Sequence, residues 1–574
     1  MPQTRQPTFV ELFTPKLLTV LREGYGLAQL RADAIAGLTV AIVALPLSMA
    51  IAIASGVSPD RGLVTAIIGG FLVSALGGSR FQIGGPAGAF IVLVLATVNA
   101  HGLDGLILAT FLSGLILAAI GLLRLGTFIK YIPYPVTVGF TAGIAVIIFA
   151  SQLRELFGLT LPGREPGELI PKLIALAEAA PTITWSAVAI SALTIALLVG
   201  IKRHRPGWPN MLIGVAVASV LAAGLGLPVE TIGTRFGGIP SSLPAPALPD
   251  LAPEKVLAVL PAALSFALLG GIESLLSAVV ADSMSGRRHR SNCELLAQGI
   301  ANLGSALFGG FCVTGTIART ATNVRAGAHG PVSGMLHAVF LLLFMLLAAP
   351  LAAYIPLAAL AGVLAVVAWN MAEKDEFLTL LRASRGDAVV LLATFGLVIF
   401  RDLTEGILVG FMLGTLLFLH RMAQAVEVRT GAPMVDEDRA DDDRPEGRTA
   451  YDAHLASERD ILVHRISGAF FFGSAATVAV ALDRLAEQPR AIVLELSGVP
   501  MLDSTAAATI EGFLRKAHRH HAEVHIAGAP FAVRRTLLAH GVRPPHVAYW
   551  ASLEEAVAAV RGVAPAAASG RQAA

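Results

Sequence analysis

Glu273 is the only ionisable residue between Val256 and Ala281, a stretch otherwise built of Ala, Leu, Val, Gly, Ser, Phe, Pro and Ile. A carboxylate at the middle of a bilayer costs roughly 2.5 to 3.5 kcal/mol on insertion scales, and such residues mark proton relays, cation sites or substrate paths. Gly270 and Ser277 share its helical face, because spacings of three and four return to one side of a helix. A small residue on one side and a hydroxyl on the other suit close packing against another helix. Ionised, Glu273 can hold a cation beside Ser277; protonated, it is neutral and admits an anion nearby. Two other segments are broken where they should be helical: QIGGPAG at 82–88 and TGTIART at 314–320. In the first, Pro86 suits an opening helical turn and the glycines allow unwound backbone before it. In the second, small and hydroxyl residues leave backbone N–H groups accessible. Two helix N-termini facing each other inside a membrane offer unpaired N–H donors and about half a positive charge each, which makes an anion site. Arg319 adds a full positive charge and favours an anionic substrate over a neutral one.

Something must hold these groups at membrane depth. The chain of 574 residues is 55% hydrophobic and 14% charged, with a mean hydropathy of +0.71, which describes a polytopic membrane protein. Its 42 basic and 40 acidic residues leave a net charge of +2, so nothing points to nucleic acid. Cys293 and Cys312 match no metal spacing or disulfide framework. The N-terminal residues contain no apolar run followed by a cleavage site, so no signal peptide is expected. Apolar runs of about 17 to 25 residues place spans near 34–55, 62–77, 82–100, 103–123, 134–153, 182–201 and 210–226. Seven more follow near 256–281, 294–311, 316–329, 332–353, 355–371, 387–401 and 404–420. The two broken segments are then the third span of each half. Paired interruptions in matching positions are the best sequence pointer to a transporter's midplane site. Basic residues collect in the loops after even-numbered spans (Arg124, Lys130; Lys202, Arg203, Arg205; Arg287, Arg288, Arg290; Arg382, Arg385), which places those loops and both termini in the cytoplasm. Arg154, Arg164 and Lys172, in the loop after the fifth span, run against that contrast.

The organisation reads as a cytoplasmic N-terminal segment (1–33), a first seven-span repeat (34–226), an extracytoplasmic Pro-rich linker (227–253) and a second seven-span repeat (254–424). A charged linker (425–459), a small α/β domain (460–565) and a flexible tail (566–574) complete it. The run at 436–448, DEDRADDDRPEGR, cannot bury a core. In the last domain, 461–467, 491–498 and 523–528 read as strands, alternating with amphipathic helices at 474–485, 504–519 and 531–540.

At these residues the chain resembles the SulP family of anion transporters. AGLTVAIVALPLSMAIAIASGVSPDRGL (36–63) is similar to the family's first span, GGSRFQIGGPAGAF (77–90) to its third-span start, and LLGGIESLLSA (268–278) to its eighth. GTIARTATNVRAGAHGPVSG (315–334) resembles the tenth span and IPLAALAGVLAVVAWNM (355–371) the twelfth. The C-terminal domain resembles the STAS domain that follows the transporter, with VPMLDSTAAATI (499–510) at its signature loop. The resemblance implies an α-helical polytopic protein of fourteen spans in two inverted seven-span repeats. Spans one to four and eight to eleven would form a core domain and the rest a gate domain, in a homodimer at the inner membrane of the cell. It implies an anion site at Pro86, Ala87, Gly88, Thr316, Ile317, Ala318 and Arg319, with Ser48, and cation coupling at Glu273, Ser277 and Thr316.

The departures matter. Leu47 and Ser48 replace a Gln found after the first-span proline in many members, and Ala318 stands where some relatives have Ser. Glu273 replaces the Asp of sodium-dependent bicarbonate carriers and tilts the coupling ion from Na⁺ towards H⁺; a sodium site at Glu273 and Ser277 stays open as the alternative. In the STAS loop, Thr505 takes the position of a phospho-acceptor but Ala506 replaces the usual glycine. Capping by Asp503 or Ser504 is the preferred reading over regulation through Ser504 and Thr505.

The expected function is therefore secondary transport of a small anion (sulfate, bicarbonate or dicarboxylate), proton- or sodium-coupled and elevator-like. The alternatives are a nucleobase–cation symporter of the same architecture, against which Arg319 and the STAS domain count, or a sensor signalling to a cytoplasmic protein partner through STAS. No Ser/His/Asp set, Walker loop or zinc spacing is visible in the sequence, no cofactor is implied, and His337 reads as a packed polar residue; an enzyme is not expected.

Overall fold

The computed structural model describes residues 8–129, 133–163, 165–205, 208–401, 403–431, 461–482 and 489–561. Lys130, Arg164, the acidic run 436–448 and the tail 566–574 lie outside the described residues.

Among the described residues, nine helices are long and apolar enough to cross a membrane. One of them, Gly88–Leu122, reverses at Gly102, where φ is 68°, and so supplies both the third and the fourth span. Asn210–Gly224, Ser291–Leu307, Ile317–Arg325 and Arg385–Phe400 are shorter, and with them the spans number fourteen. The remaining spans are Leu27–Ala54, Pro59–Leu76, Tyr134–Phe157, Trp185–His204, Pro253–Ser285, Val332–Ala352, Leu357–Met371 and Leu403–Gln424. The eighth span packs on the third and fourth, the ninth on the fourth, the eleventh on the first, and the eighth on the tenth. A second set forms among the fifth, sixth, seventh, twelfth and thirteenth spans, which Gly410 of the fourteenth joins against Thr394 and Val136. These are the expected core and gate groupings. Large apolar side chains such as Val220, Leu347 and Phe418 stay exposed on the spans, as faces solvated by lipid require.

The two halves meet at an antiparallel pair of two-residue strands, β1 (Gly84–Gly85) and β2 (Thr314–Gly315), with Gly84 opposite Gly315. Non-helical backbone at membrane depth must have its polar groups satisfied inside the protein. Asn302 of the ninth span does this for Val313 on both sides, its Nδ2 donating to the carbonyl at 2.9 Å and its Oδ1 accepting from the N–H at 2.9 Å. Thr65 Oγ1 accepts from Phe311 N, and Ser305 Oγ donates to Phe311 O. Close approach also requires missing side chains: a Cβ on Gly85 would strike Arg319 Nη1, and one on Gly315 would strike the Gln82 amide.

Two expectations change at this crossing. Pro86 does not occupy the first helical turn; helix begins at Gly88 with Ala87 as its cap residue (φ −116°, ψ 147°), because β1 pairing keeps the backbone extended through residue 85. The tenth span is also shorter than 316–329, ending at Arg325 with Gly327 at φ 83° beyond it.

A second compact unit spans Thr415–Ala574. Its five-stranded sheet runs β3 (Glu427–Gly431), β4 (Ile461–Ser467), β5 (Ala491–Glu495), β6 (Glu523–Ala527) and β7 (Ala548–Trp550), with β3 antiparallel and the others parallel. Residues 427–431, expected to be linker, instead pair with β4, since Val428 packs against the sheet's core. β5 is buried on both faces: Ile492 and Leu494 meet Phe470, Ile510 and Phe513, while Ala491 and Val493 meet Val557 and Val560. A continuous apolar run is what a central parallel strand needs.

Candidate anion and cation site

The tenth span carries three polar side chains on one buried face, Thr316, Thr320 and Asn323, spaced by four and three so that they stack along the helix. All three grip the peptide leading into β1. Thr316 N and Oγ1 donate to Ile83 O at 3.0 and 3.2 Å, Ile83 N donates to Thr320 Oγ1 at 3.1 Å, and Asn323 Nδ2 donates to Phe81 O at 2.9 Å. The eighth span is stitched to the same elements from the other side. Thr314 Oγ1 donates to Gly270 O (3.0 Å) and lies 2.8 Å from Ser274 Oγ, which accepts from Gly315 N at 3.1 Å. Ser277 Oγ donates to Thr320 Oγ1 at 3.1 Å.

Glu273 shares the eighth span with Ser274 and Ser277, and its Oε2 is inaccessible with no hydrogen-bond partner. Arg319, 1% exposed, turns its Nη2 to Ser48 Oγ (3.1 Å) and Pro86 O (3.2 Å), whereas Nε and Nη1 are unpaired. A buried guanidinium with two unused N–H-bearing nitrogens is a strong attractant for an anion, since five donors in a fork are available and only one nitrogen is committed.

The two helix N-termini flank this cation. Ala87 caps one and Thr316 the other, and neither is capped by a side-chain hydrogen bond, so their first-turn N–H groups stay available to a ligand. Gly88 faces the gate group, a Cβ there lying 3.1 Å from Ile148 and 3.7 Å from Met371 Sδ. Ala318 is exposed and Ile317 half-buried. Pro86, Ala87, Gly88, Thr316, Ile317, Ala318, Arg319 and Ser48 are thus brought to one crossing, with Ser48 reaching it through Arg319. A cavity of about 580 Å³ between the first, third, fifth and twelfth spans is lined by Ala50, Leu95, Gln152 and Leu360; it lies beyond Ser48 along the first span.

The structure moves one expected contact. Thr316 Oγ1 points to Ile83 O, and the hydroxyl that meets Ser277 belongs to Thr320, one turn later, because the helix starts at Ile317. Sequence reasoning passed over Gln82, whose amide atoms are both unpaired; His337, read as a packed polar residue, is fully buried. A signal was present in the regular spacing of Thr316, Thr320 and Asn323. A Ser/His/Asp set does exist in space: Asp282 Oδ2 meets His289 Nδ1 at 2.7 Å and His289 Nε2 meets Ser291 Oγ at 3.0 Å. His289 N also donates to Asp282 Oδ2, so the trio fastens the tight turn between the eighth and ninth spans, which reverses at Gly286. In the second unit, Asp503 caps the helix Ser504–Arg519, accepting from Ala506 N at 2.9 Å, and leaves Ser504 and Thr505 exposed.

The profile described as "Sulfate permease family" matches residues 30–394, and that of the STAS domain matches 453–556. The chain belongs to the sulfate permease family. This family member is 38% identical over 88% of its length to a Bacillus subtilis protein named "Putative sulfate transporter YvdB", covering 93% of that protein. It is 31% identical over 88% of its length to the bicarbonate transporter BicA of Synechocystis, covering 90% of it. The solved transmembrane domain of a cyanobacterial BicA superposes with a TM-score of 0.60 at 31% identity, covering 68% of this chain and 98% of that one. Murine Slc26a9, described as an anion transporter in the inward-facing state, superposes with a TM-score of 0.83 over 98% of this chain and 96% of its own, at 18% identity. The permease family is one of sulfate and bicarbonate anion transporters, and the fold of fourteen spans with an appended STAS domain is that of the chain described above.

Proposed function

We propose that the protein is a secondary active transporter that symports a small inorganic anion, of the sulfate or bicarbonate class, with H⁺ or Na⁺. The observation that carries this reading is the crossing itself: two helix N-termini without side-chain caps beside a buried guanidinium with two unpaired nitrogens, and an inaccessible, unpaired carboxylate oxygen of Glu273 on the eighth span. The anion would sit at Ala87, Gly88, Ile317 and Ala318 with Arg319 behind it. Pro86 and Ser48 act by holding Arg319. Glu273 and Ser277 take the cation, and neutralising Glu273 removes a negative charge that would oppose anion entry at the same place. Transport follows from the core group moving against the gate group as a rigid body. We place the protein in the cell membrane with both termini in the cytoplasm, following the distribution of Lys and Arg, and as a homodimer on the resemblance to its family. Ser504 and Thr505, exposed at a helix N-terminus where a phosphate would be stabilised, support a regulatory role for the STAS unit through a protein partner.

Uptake of radiolabelled sulfate and bicarbonate into proteoliposomes, with a dicarboxylate as competitor, at two pH values and with or without sodium, tests the reading. Saturable uptake driven by an imposed proton or sodium gradient supports it. Uptake indifferent to both gradients would remove the coupling role from Glu273.

A further inference from the structure

We propose that Thr320 is the positioning residue that couples the cation site to the anion site. Its hydroxyl oxygen is a three-way junction, fully buried on the first turn of the tenth span. It accepts from Ser277 Oγ of the eighth span at 3.1 Å and from Ile83 N at 3.1 Å, and Ile83 leads directly into β1 and the third-span helix. A hydroxyl oxygen has two acceptor lone pairs, and here both are engaged, one by the helix bearing Glu273 and one by the peptide that sets the anion-binding N-terminus.

Ser277 lies one helical turn from Glu273 and has a single O–H. That proton goes either to the carboxylate or to Thr320. When Glu273 is ionised and uncompensated, the carboxylate is the stronger acceptor and draws the Ser277 proton. When a sodium ion binds, it takes the Ser277 lone pairs, so the O–H points away from the ion and onto Thr320. When Glu273 is instead protonated, it donates to Ser277, and again leaves the Ser277 proton for Thr320. Either coupling ion therefore produces the hydrogen bond seen here. Loading the cation site closes the junction that holds Ile83, and with it Ala87 and Gly88, in register with Thr316. Unloading opens it. The charged or titratable side chains on the spans around the junction are Glu273 on the eighth, Arg319 on the tenth and His337 on the eleventh.

The inference rests on Glu273 being the coupling carboxylate, so the experiment carries E273Q as a separate control. Full-length parent, T320V, T320S, S277A, the T320V/S277A double variant and E273Q are reconstituted, and uptake of labelled sulfate and bicarbonate is measured across pH and sodium series. Valine keeps the volume of threonine and removes the acceptor. The expected result for T320V is a shift in the cation dependence of about tenfold in sodium or about one pH unit, the size of one lost buried hydrogen bond. The anion KM at saturating cation moves by much less. T320S restores the parent profile, and the double variant shifts no further than S277A alone, which removes the same bond together with a cation-site hydroxyl. T320V with parent cation dependence and only a lower maximal rate would overturn the proposal, as would additive single shifts. If T320V does not fold, T320A, which removes the same hydroxyl, decides the same question. E273Q with full cation dependence would overturn the underlying reading instead, which separates the two failures.

Discussion

Arg319 and Glu273 represent opposite solutions to the same cost. Burying a charge is unfavourable unless it is paired, yet Arg319 commits one nitrogen to Ser48 and Pro86, and Glu273 Oε2 commits to nothing. Groups so placed earn their position by what they bind. Lys at position 319 carries a charge but only three donors on one nitrogen, so that with two given to Ser48 and Pro86 a single donor is left for a ligand; R319K is expected to raise the anion KM by about tenfold or more, corresponding to roughly 1.5 to 3 kcal/mol for hydrogen bonds to a charged group. Uptake kinetics at fixed cation check it. E273Q should leave a neutral site whose uptake no longer responds to pH or sodium, read from the same proteoliposomes with gradients imposed or collapsed. The chemistry of these residues was legible in the sequence because an ionisable residue in an apolar run is conspicuous. Their contacts were not: Ser48 was grouped with Arg319 only through the family resemblance, and folding alone brings it, 271 positions away, to the guanidinium Nη2.

At the level of elements, the site depends on backbone that is neither helix nor sheet for more than two residues. Asn302 shows how that is made tolerable, since one side chain satisfies both polar groups of Val313. Replacing it with Leu strands an N–H and a carbonyl in an apolar interior at about 1 to 3 kcal/mol each. N302L is therefore expected to lower the midpoint of thermal unfolding in detergent clearly, while a change on a lipid-facing residue such as Leu347, 79% exposed, leaves it near the parent value. A methyl on Gly315 would meet the Gln82 amide, and G315A should reduce saturable uptake by pushing the two half-helices apart; full uptake in that variant would contradict the tight crossing. The broken spans were visible as Gly, Pro and hydroxyl clusters. The start of each helix was displaced from expectation by strand pairing across about 230 residues, a long-range interaction that no local pattern encodes.

At the scale of the whole molecule, the two compact units have separate cores and should respond separately to acid. His464 in β4 is fully buried, with Nδ1 2.9 Å from Thr430 Oγ1, and burial pushes its pKa down from 6.5 to about 4. The folded state therefore keeps this ring neutral. As pH falls through 6.5 the unfolded chain takes up the proton and the folded chain does not, so stability is lost progressively down to about pH 4. The loss is roughly 3.5 kcal/mol, since each tenfold change in proton affinity is worth roughly 1.4 kcal/mol. Hydrogen-exchange protection factors in β4 to β6 of the full-length protein, taken relative to the intrinsic rate at each pH, should fall between pH 6.5 and 4 before those of the core spans do, and H464F should flatten that dependence.

Hydropathy alone determined that the chain crosses a membrane about fourteen times, because the cost of burying polar groups in lipid is written residue by residue along each span. Strand and helix alternation likewise announced the α/β unit, and 461–467 and 504–519 fall where the structure has β4 and its helix. The tertiary structure alone decided which hydroxyl meets Ser277, which atoms hold Arg319, and that residues 427–431 belong to the sheet. Those outcomes depend on where helix starts and how two distant strands register, and the pairing energies that settle both arise between residues far apart in the chain.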